Sequence, residues 1–262
     1  MPLLQRATKF QRVSVDLEQT ERSARAAASG SREKRAYVRA MFSDIAPRYD
    51  LLNHLLSFNV DKRWRRRAIR ALDWTRDPRG LYLDLCAGTL DVAVALANQQ
   101  GFDGRVVAAD FAEPMLRAGL AKAHSHPVHA VNADALGLPL GTGSCAGAIV
   151  AFGVRNLADL DAGLREVARV IRPGGKFVIL EFTTPPNAIV RRGYHLYFHN
   201  LLPRLGGLIS GHRDAYRYLP ESVTHFPSAS ALADRLASAG FRDVRWELLT
   251  FGIAAIHVGV RS

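Results

Sequence analysis

From Leu81 onward the chain alternates short apolar runs with amphipathic stretches, and that alternation admits few architectures. Strands are predicted near 81–85, 105–110, 128–132, 146–152 and 175–182, with helices between them at 90–99, 113–124 and 158–171. This is the signature of an α/β fold whose mainly parallel sheet is covered on both faces. The helix at 158–171 is stopped by Pro173 and the Gly174/Gly175 pair. A helix at 228–239, ended by Gly240, then leads to strands at 242–250 and 253–260, a hairpin that adds an antiparallel strand at the sheet edge.

Ahead of this core, residues 1–31 read as a basic leader without periodicity, ending in AAASGS. Residues 32–262 form the folded domain, and 32–80 are its helical cap. Tyr37, Val38, Met41, Phe42 and Ile45 lie at helical spacing before Pro47, and shorter helices follow at Asp50–Leu56 and Lys62–Leu72. The last sets Trp64, Ile69 and Leu72 on one side and five arginines elsewhere. A long insertion at 185–226 is rich in Tyr, His, Phe and Leu.

Of 262 residues, 48% are hydrophobic, too many for a disordered chain, and no apolar run approaches the ~20 residues of a membrane span. Two cysteines, Cys86 and Cys145, and an N-terminus lacking an apolar core argue against secretion and a disulfide scaffold. A reducing cytoplasm is the expected setting. The net charge of +11 would invite a nucleic-acid partner, but residues 1–80 hold +9 of it. The rest carries 17 basic against 15 acidic residues, so the basic character is local and no nucleic acid is expected.

In an open parallel sheet, ligands bind beyond the carboxyl ends of the strands where the order reverses. There the first strand ends in LDLCAGTLD, where Ala87 and Gly88 permit close backbone approach and Thr89 offers a hydroxyl. Asp110 ends the second, about twenty residues on, where a carboxylate can accept both hydroxyls of a ribose. Asp134 and Ala135 follow the third, an acceptor for an exocyclic amine beside room for a flat base. Each carboxylate has a local alternative: Asp110 as cap of the helix near Glu113, Asp134 as an Asx-turn. With neither GxGxxG nor a Walker lysine, a nucleoside without phosphates fits better than NAD or ATP, and S-adenosyl-L-methionine is the common one.

Four stretches carry a resemblance. IAPRYDLLNHLLSFNVDKRW (45–64), AFGVRNLADLDAGLREVARVIRPGGKFVILEF (151–182), AYRYLPESVTHFP (215–227) and AGFRDVRWELLTFGIAAIHVG (239–259) resemble the UbiE/MenG-type C-methyltransferases of menaquinone and ubiquinone biosynthesis. The resemblance implies a class I S-adenosylmethionine-dependent methyltransferase with a seven-stranded Rossmann-like sheet in the order 3-2-1-4-5-7-6. It implies a cofactor held by Thr89, Asp110, Asp134 and Ala135, and a polyprenyl quinol substrate, demethylmenaquinol becoming menaquinol. The methoxylated benzoquinol of ubiquinone synthesis is the alternative. Where the family's first loop reads AGGTGD this chain has CAGTLD, so Ala87 and Leu90 replace glycines, and Leu90 is strained if its φ is positive. A fold whose altered loop no longer binds cofactor, and an RNA-binding protein or RNA methyltransferase using the basic N-terminus, are the competing readings.

A ring carbon becomes nucleophilic when its ortho hydroxyl is ionised, which calls for a cation near the oxygen and an acceptor for the proton. Arg155 is the expected electrostatic stabiliser and Asn156 orients a water or the oxygen, while a water aided by Tyr49 or an insertion histidine takes the proton. The structural alternatives are a salt bridge from Arg155 to Asp159 or Glu166, and Asn156 as a helix cap before Ala158. Tyr49, Tyr216 and Tyr218 are candidates for the quinol pocket. His195 and His199 lack a third ligand at diagnostic spacing, so no metal is assigned. Cys86 is read as a small buried hydrophobe. KRWRRRAIR (62–70) is a candidate contact with anionic lipid at the inner face of the cell membrane, with Trp64 at the interface; a solvated helix face is its alternative. A homodimer is left open.

Overall fold

The computed structural model describes residues 34–50, 57, 59–197 and 213–262, without the side chains of 48 and 213–217. The leader, positions 51–56 of the Asp50–Leu56 helix, and His199 lie outside the described residues.

Seven strands form one sheet in the order β3-β2-β1-β4-β5-β7-β6. The strands are β1 (Leu81–Leu85), β2 (Arg105–Asp110), β3 (Val128–Asn132), β4 (Cys145–Ala151), β5 (Ile171–Phe182), β6 (Phe241–Leu249) and β7 (Ala254–Arg261). The first five pair in parallel, and β7 runs antiparallel between β5 and β6. The hairpin thus joins the sheet through its second strand and leaves β6 at the edge.

The helices are α1 (Lys34–Ile45), α2 (Val60–Leu72), α3 (Asp91–Ala97), α4 (Glu113–Ala123), α5 (Leu160–Val170), α6 (Ala188–Leu196), α7 (Arg213–Thr224) and α8 (Ala229–Ser238). Alternation along β5 separates two cores: Val178 and Leu180 face α2, α3 and α4, whereas Phe177 and Ile179 face α5 and α8. A third cluster joins Val38, Met41 and Ile45 of α1 to Tyr194 of α6 and to Tyr218 and Val223 of α7. Phe111 and Phe182, beyond the ends of β2 and at the end of β5, pack against that cluster, so the cap and the insertion meet over the carboxyl ends of the strands.

Two sequence expectations are corrected. β5 begins at Ile171, which pairs with Cys145, before the register shifts to Gly147–Lys176. Pro173, Gly174 and Gly175 therefore form an irregularity inside the strand, with Gly174 at φ +80°, rather than a loop ahead of it. Trp64 is buried, not interfacial. Its indole N–H donates to Thr250 Oγ1 at 3.0 Å, and its ring packs against Phe152 and Phe182 at 6.1 and 6.4 Å. An indole whose N–H is satisfied inside and whose body lies among apolar rings has no reason to seek an interface.

Candidate active site

The turn after β1 is tightly wound: Cys86, Gly88 and Leu90 have φ of 53°, 54° and 68°. Leu90 occupies the left-handed region, so the condition for strain is met, and its side chain is fully buried. It starts α3 without a capping side chain, and β1 supplies the missing acceptor, since Asp84 Oδ2 accepts the Ala93 amide at 2.9 Å. Burial pushes the Asp84 carboxyl up to about 8, against that bond and the nearby Arg65. Thr89 is buried and donates its hydroxyl to Asp50, whose other oxygen meets Lys122 Nζ at 2.6 Å. Lys122 and Arg65 both pair with Asp91 at 2.6 Å, tying the turn to α2 and α4.

Asp110 binds two backbone amides of its own chain and does not cap α4, whose N-cap is Ala112. Its Oδ1 accepts the Ala112 amide at 2.8 Å and its Oδ2 the Gly88 amide at 2.9 Å, so it closes the turn before α4 and fastens the first loop to β2. Burial raises its pKa, opposed by these amides. Two acceptances still leave lone pairs for hydroxyl donors. Asp134 does form an Asx-turn, accepting from Leu136 N at 3.0 Å, and also pairs with Arg35 at 2.7 Å. Ala135 is buried beside it.

These residues share one cleft, lined by Arg35, Cys86, Asp110, Asp134, Ala135 and Asn156 among others. Asn156 Oδ1 is buried there without a hydrogen-bond partner among the described residues. An orphan acceptor beside two carboxylates and a small apolar wall fits a ligand that presents an amine, vicinal hydroxyls and a flat ring. The cleft thus fits the nucleoside part of S-adenosyl-L-methionine. Cys86 is part of the wall, and burial followed by the surrounding carboxylates pushes its thiol well up, so it does not act as a thiolate. Thr89 is not part of this wall as described, because its hydroxyl is committed to Asp50.

Neither local alternative for the turn after β4 holds. Glu166 pairs with Arg169, and Asp159 accepts the Ala162 amide as the cap of α5, displacing Asn156 from that role. Arg155 instead turns inward. Its Nη1 meets Glu181 Oε1 at 2.7 Å and the Phe152 carbonyl at 2.5 Å, and its Nε meets Ser222 Oγ at 3.3 Å. Lys34 Nζ donates to the Arg155 carbonyl at 2.9 Å. Tyr49 is half-buried, its ring edge-on to Phe42 at 6.0 Å and within van der Waals reach of a side chain at Gly88. Tyr218 is buried with its hydroxyl unpartnered among the described residues, while the side chain of Tyr216 lies outside them. Among the described residues no His, Cys, Asp or Glu cluster is placed to hold a metal.

Sequence reasoning missed Lys34, Arg35 and Glu181. Only Glu181 carried a signal: an acid inside FVILEF, an otherwise apolar strand end, requires a buried cation.

The profile of the ubiE/COQ5 methyltransferase family matches residues 29–261. The chain belongs to this family. A ubiE/COQ5-family relative, the demethylmenaquinone methyltransferase of Thermus thermophilus, is 52% identical over 223 residues, 84% of this chain and 100% of the relative. The ubiquinone/menaquinone biosynthesis C-methyltransferase UbiE of Geobacter sulfurreducens is 44% identical, over 88% of this chain and 90% of its own. Among solved structures, a Thermotoga maritima S-adenosylmethionine-dependent methyltransferase, described as a possible histamine N-methyltransferase, superposes with a TM-score of 0.61 at 16% identity. That match covers 85% of this chain and 99% of the other, and it shows the class I methyltransferase fold.

Proposed function

We propose that this enzyme methylates a ring carbon of demethylmenaquinol, giving menaquinol, with S-adenosyl-L-methionine as donor. The observation that carries the reading is the match to the Thermus demethylmenaquinone methyltransferase along that protein's whole length. The sulfonium of the cofactor supplies an electrophilic methyl group for in-line displacement. Asp110, Asp134, Ala135 and the orphan Oδ1 of Asn156 would hold its nucleoside. Thr89 supports this indirectly, bracing the loop through Asp50.

Arg155 is proposed to favour the ionised ring oxygen. A guanidinium keeps its charge at any ordinary pH, so it stabilises an anion and does not accept the proton. Tyr49 orients the oxygen or a water, and the proton leaves to water; Asn156, whose Oδ1 lies in the nucleoside cleft, serves the cofactor instead. Tyr49 is suited to this by its place over the first loop, at Gly88.

The quinol's tail lies in a bilayer, and we place the protein in the cytoplasm against that surface. Support comes from the exposed Lys62, Arg63, Arg66 and Arg70 of α2, and from Phe251, 80% exposed at the tip of the β6–β7 turn. Trp64 joins these two features through its bond to Thr250. Gly252 packs on Pro185 and Pro186 just before α6, which brings the exposed Ile189 to the same end. Basic side chains around apolar ones suit an anionic membrane.

The test is incubation with labelled S-adenosyl-L-methionine and either demethylmenaquinol or its oxidised quinone, with calorimetry of cofactor binding alongside. Label should enter menaquinone only from the quinol. Transfer to no quinol, despite cofactor binding, overturns the reading.

A further inference from the structure

Behind the turn after β4, three charged side chains are buried together: Lys34 of α1 is 7% exposed, Arg155 9% and Glu181 of β5 1%. Glu181 is fully engaged. Its Oε1 takes Arg155 Nη1 and the Phe182 amide, and its Oε2 the Arg155 amide at 3.3 Å. Lys34 has the Arg155 carbonyl as its hydrogen-bond partner and forms no ion pair with a described carboxylate.

Among the described residues the surroundings add no negative charge. From α7 come Ser222, which accepts from Arg155 Nε and donates to the Leu219 carbonyl, and Tyr218. Tyr194 faces the group from α6 and Tyr37 packs on Tyr218 from α1. Burial pushes the phenols of Tyr194 and Tyr218 up, so both stay neutral. Arg35, the next residue of α1, turns away to Asp134. Among the described residues the group therefore holds two cations and one anion. Buried charges are normally paired, and a cation kept without a counter-charge marks a place that receives one.

We propose that Lys34 is a positioning residue which, acting beside the matched Arg155–Glu181 pair, leaves this buried group one negative charge short, the deficit being filled by the ionised ring oxygen of the substrate. The inference rests on the quinol reading above. Its chemistry is proton loss alone: the O–H bond of the ring hydroxyl breaks, the electron pair stays on oxygen, and the proton goes to water. No bond to Lys34 forms or breaks. Burial, with Arg155 adding to it, lowers the Lys34 pKa, as a cation lacking its counter-charge requires.

The consequence is a pH signature of opposite sign at two positions. Transfer from labelled cofactor to a short-tailed demethylmenaquinol is followed against pH, giving kcat/KM for the wild type and for Lys34→Met, Lys34→Arg and Glu181→Gln. Lys34→Met should move the acidic limb up by about one pH unit or more, Lys34→Arg should restore it, and Glu181→Gln should move it down. In parallel, the absorbance of bound 4-nitrophenol, with S-adenosylhomocysteine present, should show the phenol's pKa shifting in the same directions without turnover. If the variants fold by circular dichroism and lose rate with both limb and bound-phenol pKa unmoved, Lys34 is structural and the inference is overturned while quinol methylation stands. If the bound-phenol pKa shifts as described but the wild type methylates no quinol, the functional reading fails and the charge assignment survives.

Discussion

Leu90 offers a test in which ordinary intuition has the wrong sign. Its side chain is fully buried among Val92, Ala93, Leu96 and Leu116, while its backbone sits at φ 68°, ψ 15°. Truncating a buried leucine to alanine costs about 2–5 kcal/mol. Going on from alanine to glycine usually costs a further 0.5–1 kcal/mol or so, because glycine has more freedom to lose. Here the left-handed backbone costs any residue with a Cβ about 1–2 kcal/mol, which glycine escapes. Leu90→Gly should therefore be more stable than Leu90→Ala by roughly 0.5–1 kcal/mol, although both fall below the wild type. Urea unfolding, with equal m-values for the two variants, measures the difference. A glycine variant that unfolds at lower urea than the alanine variant would refute the claim that strain resides at this backbone. Because Leu90 points into the core and not into the cleft, S-adenosyl-L-methionine should bind Leu90→Gly within about threefold of wild type. The family's glycine at this place is then a backbone requirement, met here at the expense of strain. Gly119 of α4 makes room for it, since a Cβ there would stand 2.7 Å from Leu90 Cγ.

Other predictions concern charge. Asp84, whose carboxyl rises from 3.8 to about 8 on folding, favours the native state fully only below its unfolded pKa. Its contribution is lost as pH rises through the folded value, so stability should fall between about pH 4 and 8, and Asp84→Asn, which keeps an acceptor for Ala93, should flatten that slope in urea melts. Arg155→Met strands Glu181 without its cation and should cost about 3–5 kcal/mol, most of it recovered in Arg155→Met/Glu181→Gln; a double variant no more stable than the single contradicts the pairing. Phe251→Ser should weaken binding to vesicles containing anionic lipid with little effect on stability, and adding salt should weaken it further through the arginines of α2. Vesicle binding unchanged by both would remove this surface from the membrane reading.

Three of the five parallel strands were legible to the residue, and β4 was displaced by one. β1, β2 and β3 have their predicted bounds, because short apolar runs closed by Cys, Asp and Asn have few other ways to lie. The start of β5 was not, since α5 runs straight into the strand and Pro173–Gly175 mark a distortion that looks like a terminus in one dimension. For Trp64 the pattern was sufficient: it shares a helix face with Ile69 and Leu72, and that face is the buried one. At the turn after β4 two acceptors competed to cap α5, and Asp159 prevails by standing next to the first helical residue. The inward turn of Arg155 depends on Glu181, 26 residues on, and on Lys34, 121 residues back. No local periodicity reports such separations.

The placement of β7 bears on how the chain is made. Its eight residues are the seam between the parallel body and β6, hydrogen-bonded on both sides, and Arg261 at their end pins α5 through the Ala168 carbonyl at 2.7 Å. They are also the last residues of the fold to leave the ribosome. Until they emerge, β5 presents an open edge along Lys176–Phe182, with Phe177, Val178, Ile179 and Leu180 on its two faces, and β6 has no partner. A nascent chain is thus aggregation-prone until β7 has emerged, and loss of that strand would leave the edge permanently bare.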